Sequence, residues 1–549
     1  MKNYGDAVAF LGQWGRFQQA VFFLLCASIM PNGFGAFTLV FMNDIPSHHC
    51  RVPESNLTEE WLTSVIPLTE VNGKQELSKC SRYRLDVVRN LSARGFIPHK
   101  GINLSDIELE GCVDGWVYSK DIYQSTIVTE FDLVCTEQWK QPFTSTIFFV
   151  GVLLGSFFSG PLSDRFGRKP VLFATMAAQT IFTFLSVFTT TWIWFIILLF
   201  INGLGQISNF VAALVLGAEI FTGNVRVLYS SMGTCCGFAV GYMLLPLCAY
   251  FLRDWKSLLL ALSVPCVAYI PLWWILPESP RWLLSQGRIA EAEAVVKMAA
   301  KWNKVQAPSN IFECNSVEKT DTQKEHYNVF DLLRHSRIRT TTLLLCFVLF
   351  TLITGYYCLS FNTSQPHTDP YISCFISALV EIPAYASSFI ALRYFPRRLS
   401  IIVSLIAGAV PLYLIPLVPE HLSSLSLTLE MVSKYFFTTG ASLMFAYTTE
   451  LYPTVLRNTA TGTTTTISRM GSCITPFLLS LSVHYKYLPY VILATLAVVT
   501  AISAYFLPES FKLPLPETIE QMHERQRKIH LCNKRNISPG SVVPLDDSR

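Results

Sequence analysis

Four charged residues lie inside long apolar stretches of this 549-residue chain: Glu381, Glu430, Lys434 and Arg469. Such charges are costly in an apolar medium and usually bind a ligand or neutralise one another. Glu430 and Lys434 are four residues apart, which places them on one face of a helix and favours mutual neutralisation. Glu381 and Arg469 have no partner nearby in the sequence, so we expect both to face a central cavity. The alternative is a buried ion pair of Arg469 with Glu381 or Glu450.

The elements that must position these charges are long apolar segments. Hydrophobic residues make up 51% of the chain and charged residues only 15%, below the roughly 25% usual in soluble domains. A helix that spans a bilayer needs about 20 mostly apolar residues. Windows of that length predict an all-α integral membrane protein whose twelve helices form two six-helix bundles. The predicted helices lie near 18–42, 142–162, 170–190, 192–218, 226–252, 257–276, 341–362, 372–393, 399–417, 422–449, 455–483 and 487–507.

Lys and Arg residues indicate the orientation of these helices. They cluster in the turns after the second and eighth helices and in segment 277–340, so the positive-inside bias places both termini in the cytoplasm. Arg253 and Lys256 lie on the other side, so the rule holds only as a bias. The predicted parts are 1–42 (N-terminus and helix 1), 43–141 (extracellular loop), 142–276 (helices 2–6), 277–340 (cytoplasmic linker), 341–507 (second half) and 508–549 (cytoplasmic tail).

The loop 43–141 differs in composition from the rest of the chain. It contains four cysteines, Cys50, Cys80, Cys112 and Cys135, and three N-x-[ST] sequons, at Asn56, Asn90 and Asn103. An even number of cysteines beside glycosylation acceptors is typical of an oxidised, extracellular segment. We therefore expect two disulfides, whose connectivity the spacing leaves open. A fourth sequon, at Asn362, lies too near the predicted membrane to be an obvious acceptor.

Two motifs recur at one offset. Glu450 and Arg457 follow Glu219 and Arg226 by 231 residues, and Pro508-Glu-Ser follows Pro277-Glu-Ser by the same distance. One coincidence would mean little, but two motifs that share an offset indicate a duplication.

The stretch from Gly160 to Lys169, Gly-Pro-Leu-Ser-Asp-Arg-Phe-Gly-Arg-Lys, joins the second and third predicted helices. We expect Asp164 to cap the next helix and pair with a basic group from another helix, while Gly160 and Gly167 allow close approach and a tight turn. This pattern favours a charged cytoplasmic gate; the alternative is an ordinary basic turn. The predicted gate residues are Asp164, Arg165, Gly167, Arg168, Glu219, Arg226, Glu278, Arg281 and Arg457.

The turn Ser163-Asp-Arg-Phe-Gly-Arg-Lys and the run Pro277-Glu-Ser-Pro-Arg-Trp-Leu resemble those of major facilitator superfamily transporters. The large loop after the first helix resembles that of the organic ion transporter family. The stretches starting at Ala9 (AFLGQWG), Pro31 (PNGF), Arg253 (RDW) and Glu450 (ELYPT) are similar to the organic cation/carnitine transporters. The resemblance runs to about residue 520 and implies a multi-pass, monomeric plasma-membrane carrier that works by alternating access.

This resemblance also implies a site. Carnitine-like zwitterions need a cation for the carboxylate, and a guanidinium holds a carboxylate bidentately. Related cation carriers have an acid where this chain has Arg469, so an arginine there favours zwitterions. A quaternary ammonium binds aromatic faces. The substrate-site candidates are Arg469, Glu381, Phe210, Phe238, Tyr356, Phe445 and Tyr447. The close carnitine carriers, which this chain resembles, have Tyr where it has Phe at 210, 238 and 445. The identity of the substrate is therefore less certain than the transport function.

Sodium prefers oxygen ligands. Asn32, in a Pro31-Asn-Gly stretch that we expect to break the first helix, and Gln206 and Asn209 could supply amide oxygens. Glu450 is linked with sodium response in the resembling family, although pairing with Arg457 or Arg226 is equally compatible with its position. Sodium as a coupling ion is a hypothesis, and no other cofactor or metal is expected.

Catalysis has no support in the sequence, because the chain has no phosphate-binding GxxxxGK[ST] loop, HExxH motif or nucleophile elbow. The net charge of +4 gives no reason to expect nucleic acid. The expected partners are the lipid bilayer and a small zwitterion or cation. The favoured function is sodium-coupled carnitine transport. The alternatives are sodium-independent transport of organic cations or ergothioneine, and a receptor that binds ligand without moving it.

Overall fold

The computed structural model describes residues 4–53, 56–71, 73–312, 328–362, 368–513, 515–516 and 519–524. Twelve long helices dominate these residues, as the sequence predicts. They are α1 (Arg16–Phe37), α2 (Lys140–Phe166), α3 (Arg168–Ser186), α4 (Trp192–Ile220), α5 (Gly223–Phe251), α6 (Trp255–Ala268), α7 (Ser336–Phe361), α8 (Pro370–Tyr394), α9 (Arg397–Leu414), α10 (Ser423–Leu451), α11 (Thr454–Ser480) and α12 (Leu488–Ala504).

By length and apolar composition, eight helices in the described residues qualify as membrane spans. The other four, α3, α10, α11 and α12, fall short because α12 has only 17 residues and polar side chains lower the mean hydropathy of the rest. α1 runs unbroken through Pro31, so the predicted break is wrong. Gly33 packs against the backbone of α5 there, where an added Cβ would come within 2.2 Å of the Phe238 carbonyl oxygen.

The packing of the helices repeats between α1–α6 and α7–α12. The α1–α5, α2–α4, α3–α4 and α3–α6 contacts of the first half recur as α7–α11, α8–α10, α9–α10 and α9–α12 in the second. The duplication inferred from the 231-residue offset is thus present in three dimensions.

The segment between α1 and α2 forms a small domain of short strands with a buried cluster around Trp61. Its strands are β1 (His48–Cys50), β2 (Leu68–Val71), β3 (Lys74–Leu77), β4 (Ser81–Tyr83), β5 (Leu109–Gly111) and β6 (Trp116–Tyr118), paired antiparallel as β1–β6, β2–β3 and β4–β5. The disulfides are Cys50–Cys112 and Cys80–Cys135, which selects one of the pairings that the spacing left open.

The linker between the halves contains three short helices, Pro280–Ser285, Ile289–Asn303 and Val329–Arg334. Asn303 accepts a hydrogen bond from the Phe17 amide at 2.9 Å, which ties the second helix to the start of α1. The helix Val329–Arg334 packs instead on α7 and α11. Most of the polar tail lies outside the described residues.

The halves meet near the small domain, at what we call the loop end of the bundle; the opposite end, beside the linker, is the linker end. At the loop end, the Thr146 hydroxyl of α2 donates to the Cys473 carbonyl of α11 at 3.1 Å. Further along the same two helices, Gly160 and Gly462 both face open space, with no atom within 4 Å of an added Cβ. In the described structure α2 and α11 are therefore in contact near the loop end, whereas Gly160 and Gly462 make no such contact nearer the linker end.

Candidate substrate-binding site

A fully buried ion pair lies where α8 and α10 meet. The Lys434 ammonium is 3.4 Å from the Glu381 carboxylate, and both side chains are 0% exposed. The Tyr356 hydroxyl donates to the same carboxylate, and so does that of Tyr385 at 3.4 Å. Lys434 forms its close ion pair with Glu381 of α8, where the spacing within α10 had predicted Glu430. Helical spacing gave the right face but could not show the nearer acid on α8.

Lys434 also connects the two halves. Its ammonium donates to the Ser377 carbonyl at 2.9 Å and lies 4.7 Å from the ring centroid of Tyr242, a residue of α5. Tyr242 and Ser377 share a hydrogen bond of 3.2 Å across the interface. The charge cluster therefore belongs to the closed part of the interface, and its charges are satisfied inside the protein.

Glu430 has different surroundings. It accepts hydrogen bonds from the Asn362 amide at 3.1 Å and the Tyr490 hydroxyl at 3.3 Å. Asn362 is thus held inside the second half, which agrees with its expected unsuitability as a glycosylation acceptor. The other three sequon asparagines, Asn56, Asn90 and Asn103, are exposed on the small domain.

Arg469 is the one charged residue of the predicted set that is only half-buried. Its guanidinium donates to the Tyr357 hydroxyl at 3.0 Å. The alternatives of a pair with Glu381 or Glu450 are wrong, since Glu381 pairs with Lys434 and Glu450 with Arg397 at 3.1 Å. Within the described residues Arg469 forms no ion pair, so its charge stays available to a ligand.

The predicted aromatic residues separate into two groups. Phe210 and Phe238 of the first half meet edge to face at 6.4 Å between centroids, and Tyr356 of α7 lies 6.3 Å from Phe37 of α1 across the interface. Phe445 is half-buried against the main core. Tyr447 is fully buried, and its hydroxyl donates to the Pro508 carbonyl after α12. Tyr447 therefore serves packing within the second half and is not part of the cavity wall.

Sequence reasoning missed an aromatic cluster that closes the loop end. Phe37 of α1 stacks on Tyr242 at 4.0 Å and lies 6.1 Å from Tyr357 of α7. Phe149 of α2 meets Tyr357 edge to face at 5.1 Å. Aromatic residues are common in this chain, so composition gave no reason to select these four. They are identified only by the contacts between their rings in the folded protein.

The three predicted amide side chains come together in the first half. Asn32, Gln206 and Asn209 are buried, and the Gln206 amide donates to the Asn32 backbone carbonyl at 2.9 Å. The side-chain oxygens of all three have no hydrogen-bond partner in the described structure, and neither do the side-chain nitrogens of Asn32 and Asn209. Glu450 lies apart from these three residues, in the second half.

Each half carries the same charge cluster at the linker end. Arg168 pairs with Glu219 at 2.9 Å, and Arg397 pairs with Glu450 at 3.1 Å. A serine hydroxyl donates to each glutamate: Ser279 to Glu219 and Ser510 to Glu450. The 231-residue offset of the Pro-Glu-Ser motifs was the signal that could have identified Ser510 and its neighbour Glu509.

The third helix is capped by an unexpected residue. The Glu278 carboxylate accepts hydrogen bonds from the Arg168 and Lys169 amides at 3.2 and 3.3 Å, and Glu509 caps α9 in the same way. Asp164 instead forms an ion pair with Arg168, the first residue of α3, at 2.5 Å, so both its predicted capping role and its predicted pairing with a basic group of another helix are wrong. Burial raises the pKa of Glu278 above its ordinary value, against the lowering effect of the amides it accepts from.

The remaining predicted gate residues lie around this cluster. Gly167 adopts φ +101°, and an added Cβ would come within 2.7 Å of the Glu278 carboxylate. Arg165 and Arg226 are exposed. Arg281 lies 4.7 Å above the ring of Tyr4, and Arg457 donates to the Tyr452 carbonyl at 3.3 Å. Gly160 faces open space, so the close approach expected there is absent from this conformation.

Two six-helix halves with the same internal packing, built from long apolar helices, form the architecture of a membrane carrier. A family profile described as Major Facilitator Superfamily matches residues 138–476. In structure, the chain is similar to the xylose transporter XylE from E. coli in a partially occluded inward open conformation, with a TM-score of 0.58, 13% identity, and coverage of 91% of this chain and 100% of that one.

Relatives narrow this assignment. The chain is 48% identical to organic cation/carnitine transporter 2 of Mus musculus over 95% of this chain and 94% of the relative. It is 47% identical to solute carrier family 22 member 4 of Mus musculus over 98% of both, and 31% identical to the organic cation transporter protein of Drosophila melanogaster over 94% of both. The chain therefore belongs to the major facilitator superfamily and, within it, to the family of the organic cation/carnitine transporters.

Proposed function

We propose that this protein carries carnitine, or a similar zwitterionic quaternary ammonium compound, across the plasma membrane by alternating access coupled to sodium. The observation that carries the proposal is the half-buried, ion-pair-free guanidinium of Arg469. A simple cation would be repelled by this charge, whereas a zwitterion can place its carboxylate there. The relatives named as organic cation/carnitine transporters support the same substrate class.

Aromatic faces supply the other end of the site. A quaternary ammonium cannot donate a strong hydrogen bond and is attracted to π-systems. Tyr356 lies at the interface of the halves, Phe210 and Phe238 form an edge-to-face pair in the first half, and Glu381 adds a negative charge beside Tyr356. Because Lys434 already balances Glu381, we assign the acid to fixing the Tyr356 ring and to the local field, without direct substrate contact.

Sodium would bind at the amide cluster. Neutral amide oxygens are hard ligands that suit a monovalent cation, and the unpartnered oxygens of Asn32, Gln206 and Asn209 meet that requirement. Glu450 would act differently, through its pair with Arg397 at the linker end. A change at Glu450 would then alter the opening of that end and not sodium binding itself.

We place the loop end outside the cell and the linker end and both termini in the cytoplasm. The two disulfides and the three exposed sequons of the small domain favour an oxidising exterior. Glycosidase treatment should increase the gel mobility of the protein from plasma membrane. Joint replacement of Asn56, Asn90 and Asn103 by Gln should remove that shift, and a persisting shift would contradict this assignment.

The function is tested by the uptake of labelled carnitine, ergothioneine and tetraethylammonium, each in sodium and in choline medium. We expect carnitine uptake to be the fastest and to fall in choline. Equal carnitine uptake in both media would reject sodium coupling, and preferred uptake of tetraethylammonium would favour a polyspecific cation carrier. Liposomes containing purified monomer that bind carnitine but do not accumulate it would indicate a receptor.

Ergothioneine is the second candidate substrate. Ergothioneine carries both a quaternary ammonium and a carboxylate, so the site proposed for carnitine would suit it. The phenylalanines Phe210, Phe238 and Phe445 also lack hydroxyls that could bind the carnitine hydroxyl group. If the site does not bind the carnitine hydroxyl group, we expect a betaine that lacks this group to be transported at the same rate as carnitine.

A further inference from the structure

Two consecutive tyrosines of α7 serve opposite charges. The Tyr356 hydroxyl donates to the Glu381 carboxylate, while the Tyr357 hydroxyl accepts a hydrogen bond from Arg469 at 3.0 Å. Successive residues on an α-helix are about 100° apart, so one turn of α7 contacts both charges. Tyr356 belongs to the substrate site predicted from the sequence, but Tyr357 has no role there.

The position of the Tyr357 hydroxyl is fixed by its ring. The side chain is 7% exposed. Phe149 and Tyr356 each meet the ring edge to face with 5.1 Å between centroids. An arginine side chain by contrast has about 2 kcal/mol of rotamer entropy to lose. A rigid acceptor on one edge of the guanidinium therefore selects one orientation of Arg469.

A phenol suits this task because it is neutral. A guanidinium has five donors, of which Tyr357 takes one, and a carboxylate ligand needs two. An aspartate or glutamate at the same place would orient the arginine equally well but would cancel its charge. Tyr357 orients Arg469 and leaves both its charge and a second edge for a ligand.

We propose that Tyr357 is the positioning residue that determines selectivity for carboxylate-bearing substrates over otherwise identical cations. This inference rests on the proposed function, because it assumes that Arg469 binds the substrate carboxylate. Tyr357 does not contact the quaternary ammonium, so its hydroxyl affects only ligands that carry the carboxylate.

The test compares carnitine with carnitine methyl ester, which lacks the carboxylate charge, as competitors of labelled carnitine uptake. In Tyr357→Phe we expect the inhibition constant of carnitine to rise roughly 5- to 10-fold, less than the loss of a direct hydrogen bond to a charged group would give, because Arg469 loses its fixed orientation and not its contact with the carboxylate. The constant of the ester should stay unchanged, and so should the maximal rate per transporter at the cell surface.

Tyr413→Phe is the matched control. Its hydroxyl also joins two helices, α9 and α12, through Thr495 at 2.8 Å, but far from Arg469 in the described structure. Both inhibition constants should stay at their native values in this variant. Equal changes for carnitine and its ester in Tyr357→Phe would indicate a purely structural role, and no change for carnitine would also overturn the proposal.

A second variant separates this inference from the proposed function. If the native protein binds the ester as well as carnitine, or if Arg469→Ala keeps native carnitine uptake, the carboxylate site itself is wrong. If the native protein prefers carnitine and Arg469→Ala abolishes uptake while Tyr357→Phe changes nothing, only the role of Tyr357 is wrong.

Discussion

Replacement of Arg469 by Ala gives the most direct test of the site. The guanidinium donates to Tyr357 at 3.0 Å and forms no ion pair within the described residues. Its removal therefore leaves no buried acid without a partner, which is the usual reason that loss of a buried charge destabilises a protein. We expect Arg469→Ala to fold and to reach the cell surface in native amounts.

The magnitude of the effect follows from the hydrogen bonds that the carboxylate would lose. A hydrogen bond to a charged group contributes about 1.5–3 kcal/mol, and a bidentate pair contains two. The variant should therefore lose about 3–6 kcal/mol of substrate binding, which corresponds to roughly 10²- to 10⁴-fold in kcat/KM. Arg469→Lys keeps the charge but not the planar fork, so we expect an intermediate loss of about 10- to 100-fold.

The assay is initial-rate uptake of labelled carnitine in sodium medium, normalised to the amount of biotinylated transporter at the surface. Arg393→Ala is the control, because Arg393 is an exposed arginine at the end of α8, away from the cavity. It should transport carnitine normally. Carnitine uptake by Arg469→Ala within a factor of two of native, at equal surface amount, would refute the assignment of Arg469.

Three further predictions concern gating and stability. Lys434→Ala alone should cost about 3–5 kcal/mol of unfolding free energy, since it leaves the Glu381 charge buried and unpaired. Lys434→Met with Glu381→Gln should recover most of that loss in a thermal unfolding assay, and no recovery would contradict the pairing. Gly160→Trp should preserve carnitine binding but stop uptake, because the indole would prevent the linker end from closing; normal uptake would show that α2 and α11 stay apart there. Cys80→Ser should cost about 2–5 kcal/mol in the small domain and reduce surface abundance, measured by biotinylation, whereas Cys374→Ser, a free buried cysteine of α8, should have little effect.

Much of the architecture can be read from the sequence because it depends on local properties. Segment length and apolar content predict the helices, and each predicted centre lies within the observed helix. The 231-residue offset predicts the duplicated packing, since equal motifs at equal positions fold alike. The predicted cluster of amide oxygens from Asn32, Gln206 and Asn209 also forms, because two of them are three residues apart on α4 and face α1.

Pairings between distant residues were predicted less well. Lys434 has an acid four residues away, but helix packing brings Glu381 of α8 to it. Tyr447 has the same aromatic character as Tyr356, yet it faces Pro508 and not the cavity. Asp164 is next to α3 in sequence, but the backbone amides at the start of α3 donate to Glu278 instead. In each case rotation of a helix about its axis decides the partner, and no local pattern specifies that rotation between packed helices.

The sequence by itself determined that Arg469 is a charge in an apolar segment, which is why it was selected before any contact was known. Only the tertiary structure decided that, among the residues it describes, Arg469 has no ion pair, because Lys434 and Arg397 pair with Glu381 and Glu450. The structure also decided that Tyr357 is its neighbour, since α7 and α11 pack side by side. Charge and apolarity are properties of single segments, whereas the availability of a charge depends on every other charge that folding brings near it.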